Sequence, residues 1–392
     1  MKTRLMLAAA AGALASTTLP MEPVMAQNTT NAARDSAAER DWAIAYFAND
    51  SALPFHAPDF ARLSDDIYGP AMEKAMAVHN AEIAAIKNNP EAPTFQNTIV
   101  ALETSGRMLG RVATVFFALT GSNTNDTLDA TQADIGPKLS QHSDAITLDP
   151  VLFARVKAVY DNRAAMTMTP EDAKLLENTY EGMVQAGAML TDAQKEQVKT
   201  INSDLSKLTT EFGQKLRAAT LANALVVDTR EELAGLSEAD IDAAAKLAAE
   251  NGQPGKFRIA LQNTTQQPLL PQLANRSTRE KLFMLSSGRA EQGGPNDTRM
   301  TLARIAKLRA DKAALFGKSD WATYTMWDRM AETPKTALDF MGQMVAPLAA
   351  TQRREAEVLN EMIRSGGENF TVEPWDWYRY AERVRKARYD LD

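Results

Sequence analysis

Apolar residues recur along this chain at spacings of three and four over most of its length, the pattern of amphipathic helices packing on one another. The clearest case follows Thr191-Asp192-Ala193-Gln194, a capping box that opens a helix. Beyond it Val198, Ile201, Leu205, Leu208, Phe212 and Leu216 form one stripe. Such a stripe seats against a partner helix in a coiled-coil-like seam and reads as interhelix contact, not as a ligand site. Asp59 to Asn88 has the pattern of an amphipathic helix or a broken pair, halted at Asn88-Asn89-Pro90. Thr94 caps the next helix, with Ile99, Leu102, Val112 and Phe116 on its buried side and a break at Ser105-Gly106. Asp149-Pro150 and Thr169-Pro170 each put a capping side chain directly before a proline at the first helical position. Further helices are expected at about 277–287, at about 297–316, and from Thr333-Pro334 to Arg364. The last should kink at Pro347 and stop at Gly366-Gly367.

Two short segments depart from this period. Ala224-Leu225-Val226-Val227 and Phe257-Arg258-Ile259-Ala260-Leu261 are rich in β-formers, and they flank a helix from near Ser237 to Asn251-Gly252. They are expected to pair in a small sheet. The fold class is therefore mainly α: a multi-helix body over 59–392 with a small β element around 224–261. A polar, proline-interrupted tail at 27–58 leads into it.

Residues 1–26 read as a signal peptide. Lys2 and Arg4 precede an apolar run, Leu5 to Ala15, that is too short to span a bilayer. Val24-Met25-Ala26 then offers a small-x-Ala cleavage site, with Ala13-Leu14-Ala15 as a competitor that leaves a shorter apolar stretch. Export with cleavage near Ala26 is expected, giving a periplasmic protein in a Gram-negative host. No membrane association is expected after cleavage, since no other apolar run approaches the roughly 20 residues of a spanning helix.

A net charge of -7 argues against a nucleic-acid partner, which calls for a basic footprint. With no Cys, the exported chain is not held by disulfides and thiol catalysis is excluded. The chain has three histidines, His56, His79 and His142. An H-E-x-x-H zinc motif places two histidines one helical turn apart with a general-base glutamate between them, and none of these positions has that spacing. His79 and Glu82 lie on one helix face and would make half a carboxylate–histidine site; a partly buried histidine beside a solvated glutamate is the plainer reading. Adjacent pairs such as Asp65-Asp66 and Glu231-Glu232 diverge on a helix. A nucleophile elbow, a P-loop and a dinucleotide fingerprint are all lacking. No catalytic and no metal-ligating residue can be named, and no substrate-binding residue is assigned.

One stretch carries more information. Pro374 to Asp392 reads PWDWYRYAERVRKARYDLD, with Trp377, Tyr380, Ala381 and Val384 at helical spacing and Arg383, Arg385, Lys386 and Arg388 on a basic face. It closely resembles a signature of the thimet oligopeptidase family of zinc metallopeptidases, in its peptidyl-dipeptidase Dcp branch. So do Thr94 to Asp126, Leu139 to Arg163, Leu225 to Ile241 and Leu261 to Phe283, in the order and spacing of that family. The resemblance runs from about Pro54 to Asp392. It implies a mostly helical, two-part body whose deep channel admits short peptides and, in this branch, the release of dipeptides from free C-termini. It also implies zinc as the cofactor of the full-length family. In that family the zinc ligands, the general base and the Tyr and His that stabilise the transition state lie further along than Asp392, so none carries over to a residue here.

The expectation is an N-terminal portion that binds no zinc itself and is inactive alone. The alternative is a non-catalytic helical protein that keeps the channel wall and binds peptides or a partner. The last helix reaches Asp392 without a cap, as a cut would leave it. Trp375, Trp377 and Tyr380, beside that end, are the expected exposed apolar surface, with self-association as its consequence. Channel lining by Trp375, Trp377, Tyr378 and Tyr380 is the lesser expectation, behind core packing or contact with the absent part.

Overall fold

Side-chain caps and prolines divide the chain into helices, and a computed structural model describes residues 36–389. The first helices are α1 (Ser36–Ala48), α2 (Tyr68–Lys87), α3 (Ala101–Thr104) and α4 (Arg107–Ser122). Thr94 and Asn97 form a capping box that opens a π-helical turn, Phe95–Val100, running on into α3. Then come α5 (Asp126–Thr147), α6 (Pro150–Asp161), α7 (Pro170–Ala186) and α8 (Asp192–Ala222). Asp149 and Thr169 cap α6 and α7 directly before their first-turn prolines, and Thr191 with Gln194 boxes α8.

Strands β1 (Leu225–Val227) and β2 (Phe257–Ile259) enclose α9 (Glu238–Glu250), which Ser237 caps. They pair antiparallel with Leu225 opposite Ile259 and Val227 opposite Phe257. The chain continues through α10 (Asn263–Leu269), α11 (Arg276–Ser287), α12 (Arg299–Leu315), α13 (Trp321–Thr325), α14 (Pro334–Ser365) and α15 (Trp377–Tyr389). The mainly helical class and the small sheet stand as the sequence pattern predicts. Helix α14 runs helical through Pro347. Among the described residues no helix is long and apolar enough to cross a membrane.

Two boundaries differ from the sequence reading. Helix α2 starts at Tyr68, not Asp59, because Ser64 Oγ donates to Asp66 Oδ1 and a single 3-10 turn occupies Asp65–Ile67; such local side-chain bonds compete with helix formation. The segment read as a tail is in part core. Ala43 and Phe47 on α1 are buried, Phe47 packs against Tyr68, and Arg111 Nε donates to the Phe47 carbonyl at 2.9 Å. Residues 43–58 therefore belong to the body that continues to the C-terminal helix. The signal segment 1–26 lies outside the described residues.

Apolar burial concentrates in separate clusters. Ile83, Ile86, Ile99, Leu152, Val156 and Leu176 join α2, α6 and α7 to the π-helical turn. Leu225, Val227, Ile259, Leu261 and Leu282 make a second core beneath the small sheet. Gly235 is required there: its φ is +94°, and a Cβ would stand 2.2 Å from the Gln272 carbonyl oxygen. Helix α8 packs along α5 and α12. Its stripe is buried at Val198 and Leu208 but has left the seam by Leu216, which is exposed.

The C-terminal part is held by one carboxylate. Asp376 is 0% exposed and accepts from Arg276 Nη2 at 2.9 Å and Arg279 Nη2 at 2.8 Å, with Arg279 itself 1% exposed. Arg279 Nη1 also donates to the Leu273 and Ala274 carbonyls, each at 2.9 Å. The Arg276 guanidinium lies over the Phe370 ring, 4.2 Å from its centroid. The segment before α15 is thereby fixed to α11. Asp376→Asn keeps the shape and leaves two guanidinium groups without their anion. It should cost about 3–5 kcal/mol, the range for a broken buried pair, read as a lower urea midpoint. An unchanged midpoint would show that Asp376 does not hold this junction.

Candidate functional site

The titratable groups that sequence spacing kept apart come together where α2 meets α5. His79 projects from α2 and His142 from α5, with His142 Nε2 2.9 Å from His79 Nδ1. On its other side His79 Nε2 lies 3.1 Å from Ser105 Oγ, whose hydroxyl donates to the Leu102 carbonyl at 2.7 Å. That hydroxyl hydrogen is spent, so Ser105 Oγ accepts and His79 carries its proton on Nε2. His79 Nδ1 is then the acceptor for the proton on His142 Nε2. Glu82 Oε2 accepts from the Gly106 amide at 2.7 Å.

The turn must be glycine. Gly106 has φ +69°, and a Cβ there would lie 2.8 Å from His79 Cε1. Burial pushes the imidazolium forms of His79 and His142 below the ordinary range; Glu82 partly opposes this for His79, and His79 adds to it for His142. The relay is therefore neutral and ends on a main-chain carbonyl. Ser105 gives its proton away from His79, so it is not set up as a nucleophile. The relay ties α2, α5 and the Ser105-Gly106 turn together.

The sequence placed His142 far from His79, and the helix pairing overturns that. His56 stays apart, its Nδ1 2.9 Å from the Ser51 carbonyl oxygen. Glu82 is exposed, as its sequence reading has it, and its Oε2 takes the turn amide. Among the described residues no group of three or more His, Cys, Asp or Glu could hold a metal ion. The donors present do not fit a zinc centre.

The expected exposed aromatics are mostly packed. Tyr380 is fully buried and reaches Glu368 through its hydroxyl, and Trp375 meets Phe283 edge to face. With Leu359 and Ile363, Tyr380 joins α15 to the second half of α14, and Trp377, Ala381 and Val384 pack beside it. Trp377 and the exposed Tyr378 line a groove of about 490 Å³ with Gln352, Arg353 and Val372. Aromatics at helical spacing signalled a packed face and could not say which neighbour fills it.

The apolar surface left in water is elsewhere. On the first half of α14, Leu338 is 63% exposed, Phe340 62%, Val345 64% and Leu348 63%, with Met341 and Met344 also exposed. Leu338, Met341, Val345 and Leu348 recur at three and four residues, which makes one continuous seam. Soluble monomers rarely leave such a seam uncovered.

A family profile described as "Peptidase family M3" matches residues 269–392, which hold this seam and the Asp376 junction. Dipeptidyl carboxypeptidase of Escherichia coli (strain K12) is 42% identical over 348 residues, covering 88% of this chain and 51% of that protein. Dipeptidyl carboxypeptidase of Salmonella typhimurium is 40% identical over 342 residues, covering 87% and 50%. Oligopeptidase A of Haemophilus influenzae is 24% identical over 340 residues, covering 86% and 50%. The chain thus spans about half the length of the curated relatives it matches.

The histidine relay sets a pH dependence. Both pKa values are depressed below the ordinary 6.5, so the unfolded chain binds more protons than the folded one as pH falls through that value. The contribution of the pair is whole above about pH 6.5 and is lost progressively below it. Urea midpoints should fall from pH 7 to pH 5, and His79→Gln with His142→Gln should flatten that fall. An equal slope in the double variant would assign the effect to other groups.

Proposed function

This chain belongs to the thimet oligopeptidase family of metallopeptidases, peptidase family M3, in its dipeptidyl carboxypeptidase branch, and from that membership we propose that it forms the helical half of a peptidyl-dipeptidase. In this reading the substrates are short peptides, the reaction is hydrolysis that releases dipeptides from free C-termini, and zinc is the cofactor of the whole enzyme. In this reading a second part of the enzyme supplies the metal and the residues that activate water. The relatives named dipeptidyl carboxypeptidase support the activity, and their twofold greater length supports the division. What carries the proposal is the seam on α14. Its exposed side chains lie within the stretch that matches the peptidase profile, where a second helical part would cover them. The chain then contributes one wall of a peptide channel and holds no zinc of its own.

Export is part of the same proposal, with the signal peptide removed after Ala26 and the mature chain in a periplasm. The charged start, the short apolar run and the small-x-Ala site support it. N-terminal sequencing of protein from the periplasmic fraction should begin at Gln27. An intact Met1 in the cytoplasm would refute the export.

The isolated chain should hold no stoichiometric zinc after desalting and release no dipeptide from an N-blocked oligopeptide. It should bind a hydrophobic dye or self-associate, and Phe340→Ser with Val345→Ser should remove most of that signal. One tightly held zinc per chain with chelator-sensitive turnover would overturn the division of labour. A monodisperse, cooperatively melting monomer that binds no dye would favour a self-sufficient module that binds peptides or a partner.

A further inference from the structure

A groove of about 580 Å³ runs between α5 and α8, and one side chain reaches it from a third helix: Lys312 of α12, half-buried on its wall. Neighbouring lysines are spent on carboxylates. Lys199 holds Glu196 and Lys215 holds Glu211, each at 2.6 Å, and Lys307 holds Asp311 at 2.5 Å. Lys312 Nζ donates instead to a neutral oxygen, Asn202 Oδ1 on α8, at 2.7 Å, and faces the Tyr324 ring 5.6 Å from its centroid.

The nearest anion is kept off this amine. Asn202 Nδ2 donates to Asp144 Oδ1 at 2.7 Å, so one carboxamide stands between the carboxylate and Nζ. Burial pushes the Lys312 ammonium down, and Asp144 opposes it from that distance. A lysine so placed offers its lone pair, which a salt-bridged ammonium does not. Hydroxyls of Ser140, Ser206 and Thr210 line the walls and can both donate and accept. Asp144 and Lys312 are the charged groups of the lining, one of each sign. Such a surface favours a guest that is polar and carries no net charge.

We propose that Lys312 is a covalent modification site for short, uncharged hydroxyaldehydes that enter this groove. The Nζ lone pair adds to the aldehyde carbon, and a proton passes from nitrogen to the carbonyl oxygen to give a carbinolamine. Loss of that hydroxyl as water leaves a C=N bond between Nζ and the former aldehyde carbon. A proton taken from solvent makes the imine cationic, so the charge once carried by the ammonium is restored at the same place. The guest's hydroxyls bond to those of the walls and hold its carbonyl at Nζ. The volume suits a small ligand. The inference does not depend on the peptidase reading, because it concerns the chemistry of this chain alone.

Labelling of the 392-residue chain with glyceraldehyde at neutral pH tests it, with cyanoborohydride to reduce the imine to a stable amine and peptide mass spectrometry to read each lysine. Lys312 should be labelled at least about fivefold faster than the exposed Lys74, Lys207 and Lys318, the gain from one hydrogen bond to the walls. Propanal, which has no hydroxyl, should lose that preference. Lys312→Arg should abolish the fast phase. Ser143→Trp, at an exposed position on the rim, should slow Lys312 to the rate of the exposed lysines and leave theirs unchanged, with the fold checked by circular dichroism. Equal rates at all four lysines, the same preference with propanal, or undiminished labelling of Lys312 in Ser143→Trp would each overturn the assignment.

Discussion

The carboxylate of Asp376, shared by Arg276 and Arg279 out of contact with water, sets the geometry of the whole C-terminal part. A buried anion of this kind is tolerable only while both guanidinium groups and a main-chain amide stay on it, and the Glu373 amide supplies the last. The segment before α15 consequently has one position against α11. Tyr380, one helical turn further along, is then directed inward onto Leu359 and Ile363. The second half of α14 is anchored by that contact, while the first half runs on with its apolar seam uncovered.

Polar relays repeat this pattern deeper in the bundle. The His142–His79–Ser105 chain and the Asp144–Asn202–Lys312 chain each cross helices through side chains whose hydrogen bonds are directional. Apolar packing alone would tolerate small slips of one helix along another; a relay with one correct length does not. Helices α7 and α13 are tied in the same spirit, by Gln185 and Tyr324 exchanging bonds through main-chain carbonyls. These contacts fix register, and register decides which groups face a groove.

Family membership and the uncovered seam bear on each other. A chain with substantial cores of its own can fold well yet still carry a face shaped for another part. The cores around α2, α6 and α7 and beneath the small sheet are closed by their own residues. The α14 seam is not.

Local chemistry made most of the helices legible in the sequence. Thr94, Asp149, Thr169 and Thr191 mark starts because a side-chain oxygen before a helix answers its free amides, and that rule needs no partner. The β-forming runs at Leu225–Val227 and Phe257–Ile259 were equally plain. Local chemistry misjudged Asp59–Ile67, where side-chain turns displaced the helix, and Phe47, whose burial depends on Tyr68 in another element. No local rule could bring His142 to His79 or set Asp144 beside Asn202 and Lys312, because those meetings depend on how α2, α5, α8 and α12 lie against one another. The exposed face also moved, from Trp375 and Tyr380 to Phe340 and Val345, for the same reason. An amphipathic stripe states that a face seeks cover, and only the packed helices decide which faces find it.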